Sequence, residues 1–591
     1  MLQFAKTAEA IGATSKKLEK TALVAAYFQT LLQTGTLKEA AIAAVFFTGR
    51  PFPAYEQMTL QVGGSLLWRL IGDLSGKSEA ELSEIYRRHG DFGSVAAEAL
   101  RASPEAESGV SLSEVQHAFF EIASARGPSP KAARLRRLLQ RATPLEAKYI
   151  VKIISGDLRI GLKESLVEEA IARAFGTPLD QVKRANMLLG DVGATLCLAA
   201  SETLHEARLR LFHPLDFMLA SPVESSAEAL SYFENASVED KYDGIRAQAH
   251  VSHGEVRIFS RTRDEITVSF PELVPALARL PGDAILDGEI VAWKSASKLE
   301  GGEADARALP FSTLQQRLGR KKVSAQLMRD VPVAYLVFDI LYREGSLLLD
   351  YPLSERGTLL SEVLTKSEAH AETDALGSRA VGDGAAVTAP LQSTFSFAAP
   401  DIPVATVLRA PVATAHSPED LEVLFTAARA RGNEGLMIKD LDSPYTPGRR
   451  GKSWLKMKRE LATLDVVVTA VEYGHGKRIG VLSDYTFAVW EGERLVNIGK
   501  AYSGLTDAEI AEMTQWFLAH KVSERGLRLE VKPKIVVEVA FNNMMRSTRH
   551  ESGYALRFPR IVRLRPDKRP EDADNIETVK EIYERQSLTN R

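Results

Sequence analysis

The apolar periodicity of this chain changes twice along its 591 residues, and no single layered architecture satisfies every pattern it shows. Up to about residue 215 the pattern is helical. In Gly161–Phe175, Leu162, Leu166, Ala170 and Ala174 recur at i, i+4 spacing beside Val167, Ile171 and Phe175, which makes an amphipathic stripe. Thr143-Pro144-Leu145-Glu146 offers a capping threonine, proline at the first helical position and glutamate at the third, so a helix through Ala147–Ile154 is predicted. After Pro222 short strand-like runs take over: Ala247–His250, Val256–Ser260, Ala284–Trp293 and Val333–Tyr342, bounded by glycine or charged turns. Ser417-Pro418-Glu419-Asp420 caps a helix predicted to run to about Arg431 and stop at Gly432. From Leu464 strands dominate, at Val466–Val471, Tyr485–Trp490, Leu495–Ile498 and Ile535–Val539, and so dense a set of short strands suggests a small barrel. A prior of about 150 residues per domain gives three or four domains. The patterns divide the chain into an all-α part (1–215), an α+β part (216–460) and a β-barrel part (461–591).

Two stretches read as inserted loops. Ser295–Ala308 is polar and contains glycine; Glu368–Val404 is rich in Ala, Gly, Ser, Thr and Pro without a period, and reads as mobile rather than packed. No internal repeat is present.

Several classes are excluded. Cys197 is the one cysteine, so neither an intramolecular disulfide nor a cysteine zinc site can form, which fits a reducing compartment. Cys197 itself reads as a small buried apolar residue. The N-terminus MLQFAKTAEA is no signal peptide, and runs such as Ala40–Phe47 fall far short of the ~20 residues of a membrane span. A soluble cytoplasmic protein with no membrane partner is expected. Lys plus Arg total 74 and Asp plus Glu 77, a net charge of −3 that argues against a uniformly basic coat but is silent on local patches.

Five segments carry chemistry. Lys241-Tyr242-Asp243-Gly244 is a weak signal alone, and equally a charged turn between strands. In Ala284–Trp293 (AILDGEIVAW), alternation puts Ile285, Asp287, Glu289 and Val291 on one face. Adjacent carboxylates repel; a hard cation such as Mg²⁺ or Mn²⁺ would relieve them, and the alternative is an edge strand with a solvated acidic face. Trp454-Leu455-Lys456-Met457-Lys458 places Lys456 and Lys458 on the Trp454 face, a pair suited to phosphate. Glu434, after the Gly432-Asn433 turn, is a third carboxylate at the start of a strand. Arg557–Pro570 sets six cations against Asp567, a local charge of +5, interleaved with Phe558, Ile561, Val562 and Leu564. Gly448–Ser453 fails as a P-loop because only two residues separate its glycines, and Gly474–Arg478 lacks a dinucleotide-loop context; both read as turns.

In order, KYDGIR, FSRTRDEIT (Phe259–Thr267), ILDGEIVAW, YLVFDILY (Tyr335–Tyr342), EGLMIK, SWLKMK and RFPRIVRLRPDK resemble the motifs of ATP-dependent DNA ligases, members of the covalent nucleotidyltransferase superfamily. SGDLRIGL (Ser155–Leu162) and PLDFMLASP (Pro214–Pro222) extend the resemblance upstream. It implies a helical DNA-binding domain, an ATP-grasp-like adenylation domain and an OB-fold, closing around nicked duplex DNA as a monomer and contacting its phosphate backbone. It implies ATP as nucleotide, Mg²⁺ (or Mn²⁺) as metal, and Lys241 as the nucleophile that forms lysyl–AMP. A free lysine, with a pKa of about 10.4, is neutral about 0.04% of the time at pH 7, a handicap of about 4.6 kcal/mol that desolvation and nearby cations must offset. Lys456, Lys458 and the metal are the candidate neighbours.

By motif position, Glu239 resembles the residue that reads the adenine amino group, Arg246 and Arg261 the ribose and phosphate contacts, and Phe338 the aromatic stacked on adenine. Glu289 resembles the ribose or metal carboxylate and Glu434 the second metal carboxylate. Lys456 and Lys458 resemble the α-phosphate contacts, with Arg450 nearby. Arg565, Asp567 and Lys568 resemble the motif that orients pyrophosphate. Asp243 belongs to the signature without one assignable role. Arg159 in SGDLRIGL has two readings, a minor-groove backbone contact or part of a tight helix–helix turn. Ser354-Glu355-Arg356-Gly357 departs from the family in having glycine where a second arginine is common. An NAD-dependent ligase, which usually carries a four-cysteine zinc module, is disfavoured by the single cysteine. A capping guanylyltransferase or RNA ligase is disfavoured by the long helical region before Lys241. An inert DNA-binding scaffold is disfavoured by the intact lysine and carboxylates.

Overall fold

Thr143 and Glu146 cap each other reciprocally, and the helix Pro144–Ile154 follows as its spacing predicts. The computed structural model describes residues 1–365 and 406–589, except 35–36, 101–108, 234, 295–296, 300–301, 305–306, 310, 319, 321, 459–461 and 475–477. Among these, twelve α-helices from Leu2–Ala13 to Val192–Ala200 precede the first strand, Leu219–Val223. Their shared core is mostly aliphatic with an aromatic cluster inside it: Phe4 lies 4.4 Å from Phe47 and 6.2 Å from Phe46, ring centre to ring centre. The amphipathic helix predicted over 161–175 starts later, at Glu164, because Gly161 is left-handed (φ +65°) and ends a turn that begins at Ser155. Cys197 is half-buried rather than buried.

Two sheets form the middle of the chain. One has the strand order Leu219–Val223, Arg450–Met457, Gly435–Asp440, Ala236–Lys241, Ala413–Thr414. The other runs Ser346–Leu347, Val333–Arg343, Ala284–Lys294, Ile245–Ser252, Glu255–Ser260, with Thr406–Arg409 and Arg307–Ala308 added beside it. Ala284–Lys294 lies between two partners and is not an edge strand. Leu286, Ile290 and Ala292 enter one core on its far side, while Ile285 packs with Trp454 on the other. The expected shared face of Asp287 and Glu289 therefore points between the sheets. Ser295–Ala308 is not merely a loop: Ser297–Leu299 pairs with Gly302–Ala304. The Glu368–Val404 stretch lies outside the described residues. Gly448 is a left-handed turn as predicted, but the strand resumes at Arg450, so Gly451–Ser453 are strand and not turn. Part of Gly474–Arg478 lies outside the described residues.

In the last region the predicted strands are present and longer, notably Ala462–Tyr473 and Leu482–Glu491. The Ala462–Tyr473 strand pairs with Val536–Phe541 over its first half and with Arg528–Val531 over its second, and this exchange of partner curls the sheet. Its core contains Val466, Phe487, Ile498, Phe517 and Val539, all fully buried. The strand Lys521–Arg525 and the helix Asp507–Ala519 were not anticipated; KVSER is exposed and shows no alternation. Among the described residues, no helix is long and apolar enough to cross a membrane.

Candidate active site

A cavity of about 500 Å³ opens between the two middle sheets, within the range of small-molecule sites. Register assembles it. Gly435 pairs opposite Lys241 and Met437 opposite Glu239, and on the other side Met437 pairs with Lys456 and Lys439 with Trp454. The facing sheet sets Arg246 opposite Glu289. A register shift at Asp287/Gly288, against Val333–Arg343, turns Phe338 into the cavity. Two glycines are dictated by this closeness. A Cβ on Gly244 would meet the Ile290 carbonyl, and Gly435 (φ +149°) would drive one into the Met457 carbonyl.

Lys241 Nζ donates to the Glu434 carboxylate, and Glu434 N–H donates to the Lys241 carbonyl at 2.8 Å. The Glu434 turn is fixed from behind: Asp240 accepts from both Arg431 and Asn433. Burial raises the Glu434 carboxyl pKa, but the charge and hydrogen bond of Lys241 outweigh it and leave it lowered. Burial pushes the Lys456 and Lys458 amines down. For Lys456 the Lys458 charge adds to this; for Lys458 the attraction of Glu434 opposes it. Asp243 receives a structural role here. It accepts from Arg557 at 2.6 Å and thereby ties the turn after Lys241 to the C-terminal region.

Asp287 finds its counter-charge within the protein, although its own charge still adds to the upward shift of Glu289. Arg246 grips the Asp287 carboxylate at 3.1 and 2.7 Å, and Tyr445 OH donates to it at 2.7 Å. Arg246 also lies 5.4 Å from the Phe338 ring centre and 5.3 Å from that of Trp454. Glu239 is buried and bound through both oxygens by Lys439, each at 2.7 Å, and Lys439 sits 4.2 Å over Phe338. Burial nevertheless shifts the Glu239 carboxyl upward, against the Lys439 charge. Lys439 and Tyr445 were missed from sequence. The only signal for Lys439 was one charge ending the apolar run of EGLMIK.

Lys241, Glu239, Arg246, Arg261, Glu289, Phe338, Glu434, Arg450, Lys456 and Lys458 thus all line one cavity. Arg565, Asp567 and Lys568, expected at the nucleotide, do not. Asp465 holds Arg565 at 2.9 Å and Lys568 at 2.7 Å on their own sheet, and Arg565 also pairs with Asp567. Arg557, Phe558 and Asn542 reach the cavity from that region instead. Arg159 is also remote. It is left-handed (φ +54°) in the Ser155–Gly161 turn and donates to the Gly90 carbonyl at 2.6 Å.

Burial pushes the Glu289 carboxyl up to about 8 from an ordinary 4.5. The proton is held more tightly in the folded state, so this group's stabilisation is complete below about pH 4.5 and is lost as the pH rises toward 8. Without added cation, Glu289→Gln should melt close to wild type at pH 5 and later than wild type at pH 8.5, by on the order of 2–4 kcal/mol. A melting difference that stays constant with pH would dismiss burial of this charge as its cause.

Comparison with known proteins covers the chain from end to end. Three family models match in order: "DNA ligase N terminus" over 1–172, "ATP dependent DNA ligase domain" over 217–383 and 402–458, and "ATP dependent DNA ligase C terminal region" over 478–568. A "Probable DNA ligase" of Koribacter versatilis is 56% identical over 587 residues, covering 99% of this chain and 97% of that one. A "DNA ligase" of Methanothrix thermoacetophila is 36% identical over 598 residues, covering 98% of each. The solved structure "Pmar-Lig_PreS3" shares the fold at a TM-score of 0.58 and 15% identity, covering 95% of this chain and 99% of that one. Matched from end to end by such relatives, with Lys241, Glu289, Phe338, Glu434 and Lys456 of the cavity on the central matched segment, the chain belongs to the ATP-dependent DNA ligase family.

Proposed function

We propose that the cavity between the two sheets is where this ligase forms its adenylate, with Lys241 as the nucleophile. An ATP-dependent DNA ligase seals nicks through a lysyl–AMP intermediate, transfer of AMP to the 5′-phosphate, and attack of the 3′-hydroxyl with release of AMP. In the first step the Lys241 nitrogen bonds to the α-phosphorus of ATP, the bond to the bridging oxygen breaks, and pyrophosphate leaves. Glu434 orients the amine. Lys456 and Lys458, with amines already disfavoured as cations, face the charge that builds on the phosphoryl oxygens. Phe338 offers a stacking face for adenine. The Glu239 carboxylate has more acceptor positions than Lys439 uses, which leaves capacity for the adenine amino group. Arg246, held by Asp287, stays put for ribose and phosphate, with Arg261 and Arg450 at the rim. The convergence of Lys241, Glu434, Lys456 and Phe338 on one cavity supports this reading.

Mg²⁺ or Mn²⁺ fits the residues present. Glu289 and Glu434 are hard oxygen donors on one cavity, and at Glu289 burial outweighs the attraction of Lys241 and Arg246. Among the described residues no cluster of three or more His, Cys, Asp or Glu makes a ready cage, so phosphate oxygens would complete the shell. When bound, such a cation neutralises phosphate charge and acts as a Lewis acid.

The helical region 1–215 then serves DNA binding, 216–460 adenylation and 461–591 forms the OB-fold, together enclosing nicked duplex DNA as a monomer. Arg159 would reach its phosphate backbone on release from Gly90. Arg565, Asp567 and Lys568 would orient pyrophosphate if the C-terminal region turned over the cavity. Incubation with labelled ATP, GTP or NAD tests the function: ATP should label the protein covalently, and GTP and NAD should leave it unlabelled. Labelling from NAD or GTP in preference to ATP would overturn the nucleotide assignment.

A further inference from the structure

The turn that carries Arg261 is held from outside its own sheet. Ser260 N–H donates to the Asp264 carbonyl and Arg263 N–H to the Ser260 carbonyl, both at 2.8 Å, with Arg263 left-handed (φ +70°). Arg261 lines the cavity at one side of this turn. On the other side Gln57, from the helical region, reads the turn's backbone as a strand would. Its Oε1 accepts from Glu265 N–H at 2.7 Å, and its Nε2 donates to the Arg263 carbonyl at 3.1 Å.

The stretch bearing Gln57 is itself docked. The Tyr55 ring stacks on His213 at 4.0 Å with the planes 1° apart, and Tyr55 N–H donates to the Gly190 carbonyl. The Arg263 side chain adds a second clasp, 3.1 Å from Asp216 and 4.0 Å from Glu164. A left-handed arginine in an exposed loop costs backbone energy, so the turn needs partners to stay in one conformation. Gln57 supplies two of them across a separation of about 200 residues.

We propose that Gln57 is a positioning residue for adenylation: it splints the Ser260–Glu265 turn so that Arg261 faces the nucleotide phosphates. The inference rests on the assignment of Arg261 to ATP. It gives the helical region a part in the first chemical step, before any DNA is bound. Because Gln57 acts on the placement of a binding group and not on the nucleophile, its loss should weaken ATP binding more than it slows the bound reaction.

The test is the initial rate of covalent AMP labelling of the full chain, without DNA, as a function of ATP concentration. Gln57→Ala should raise the half-saturating ATP about fivefold, the size of one or two lost hydrogen bonds, with the maximal rate changed less than about twofold. Gln57→Glu, which keeps the acceptor for Glu265 N–H but loses the donor to Arg263, should fall between. Arg261→Ala should show at least as large a shift, and the double variant should be no worse than Arg261→Ala alone. Wild-type ATP dependence in Gln57→Ala beside a clear defect in Arg261→Ala would overturn the proposal and leave the Arg261 assignment standing. No defect in Arg261→Ala would overturn both. Fully additive defects, or a fall in maximal rate alone, would show that Gln57 acts elsewhere and would also overturn it.

Discussion

Lys241→Ala is expected to abolish covalent AMP labelling and to lower ATP-driven nick sealing by at least about 10³-fold, while nicked-duplex binding survives. Alanine has no nitrogen to attack the α-phosphorus, and the neighbouring amines come from a different strand. Lys456 stands two strands away across Met437, and Lys458 lies beyond the end of its strand. The same variant should still join a nick whose 5′-phosphate already carries AMP, because the last step uses the 3′-hydroxyl as nucleophile. That contrast separates lost chemistry from lost folding. Lys241 is only partly buried and pairs with Glu434 at the cavity wall, so its removal leaves a carboxylate that water can reach. Undiminished labelling would sink the nucleophile assignment. Failure on the pre-adenylated nick would mean that the substitution damages more than the first step.

Arg356→Met is expected to destabilise the middle region by about 3–5 kcal/mol. Arg356 and Asp339 are both fully buried, paired at 2.8 and 2.9 Å. Arg356 also donates to the Tyr351 and Ser443 carbonyls. Methionine fills similar volume but strands the Asp339 charge in an apolar interior, and Asp339 faces Asp287 across the strand pair. The two carboxylates each have an arginine, Arg246 for Asp287 and Arg356 for Asp339, so losing one guanidinium exposes a like-charge contact as well. The readout is a lower thermal midpoint for the middle region's transition, with weaker ATP labelling near that temperature because Phe338 neighbours Asp339. Arg356→Met together with Asp339→Asn should recover much of the loss; a double variant as unstable as the single one would place the cost in packing rather than charge.

The parts of the site close in sequence were legible in it. Glu239, Lys241 and Arg246 span one strand, a turn and the next strand, and alternation alone placed Asp287 with Glu289 and Lys456 with Trp454. The net charge of −3 conceals this arrangement, since carboxylates and cations gather on opposing strands around one cavity. What stayed hidden was pairing between distant segments. Nothing local joins Lys439 to Glu239, Arg246 to Tyr445, or Gln57 to Glu265. Nor did the sequence reveal that Asp465, about 100 residues upstream, keeps Arg565 and Lys568 away from the cavity.

The division has a physical cause. Helix caps and strand faces depend on residues two to four positions apart, so periodicity determined the helical, mixed and strand-rich regions and most of the chemistry-bearing residue types. Register and partner choice depend on which faces are buried once two sheets meet. Only the tertiary structure therefore decided that Arg246 pairs with Asp287, that Asp243 binds Arg557, and that the helical region reaches the turn of Arg261.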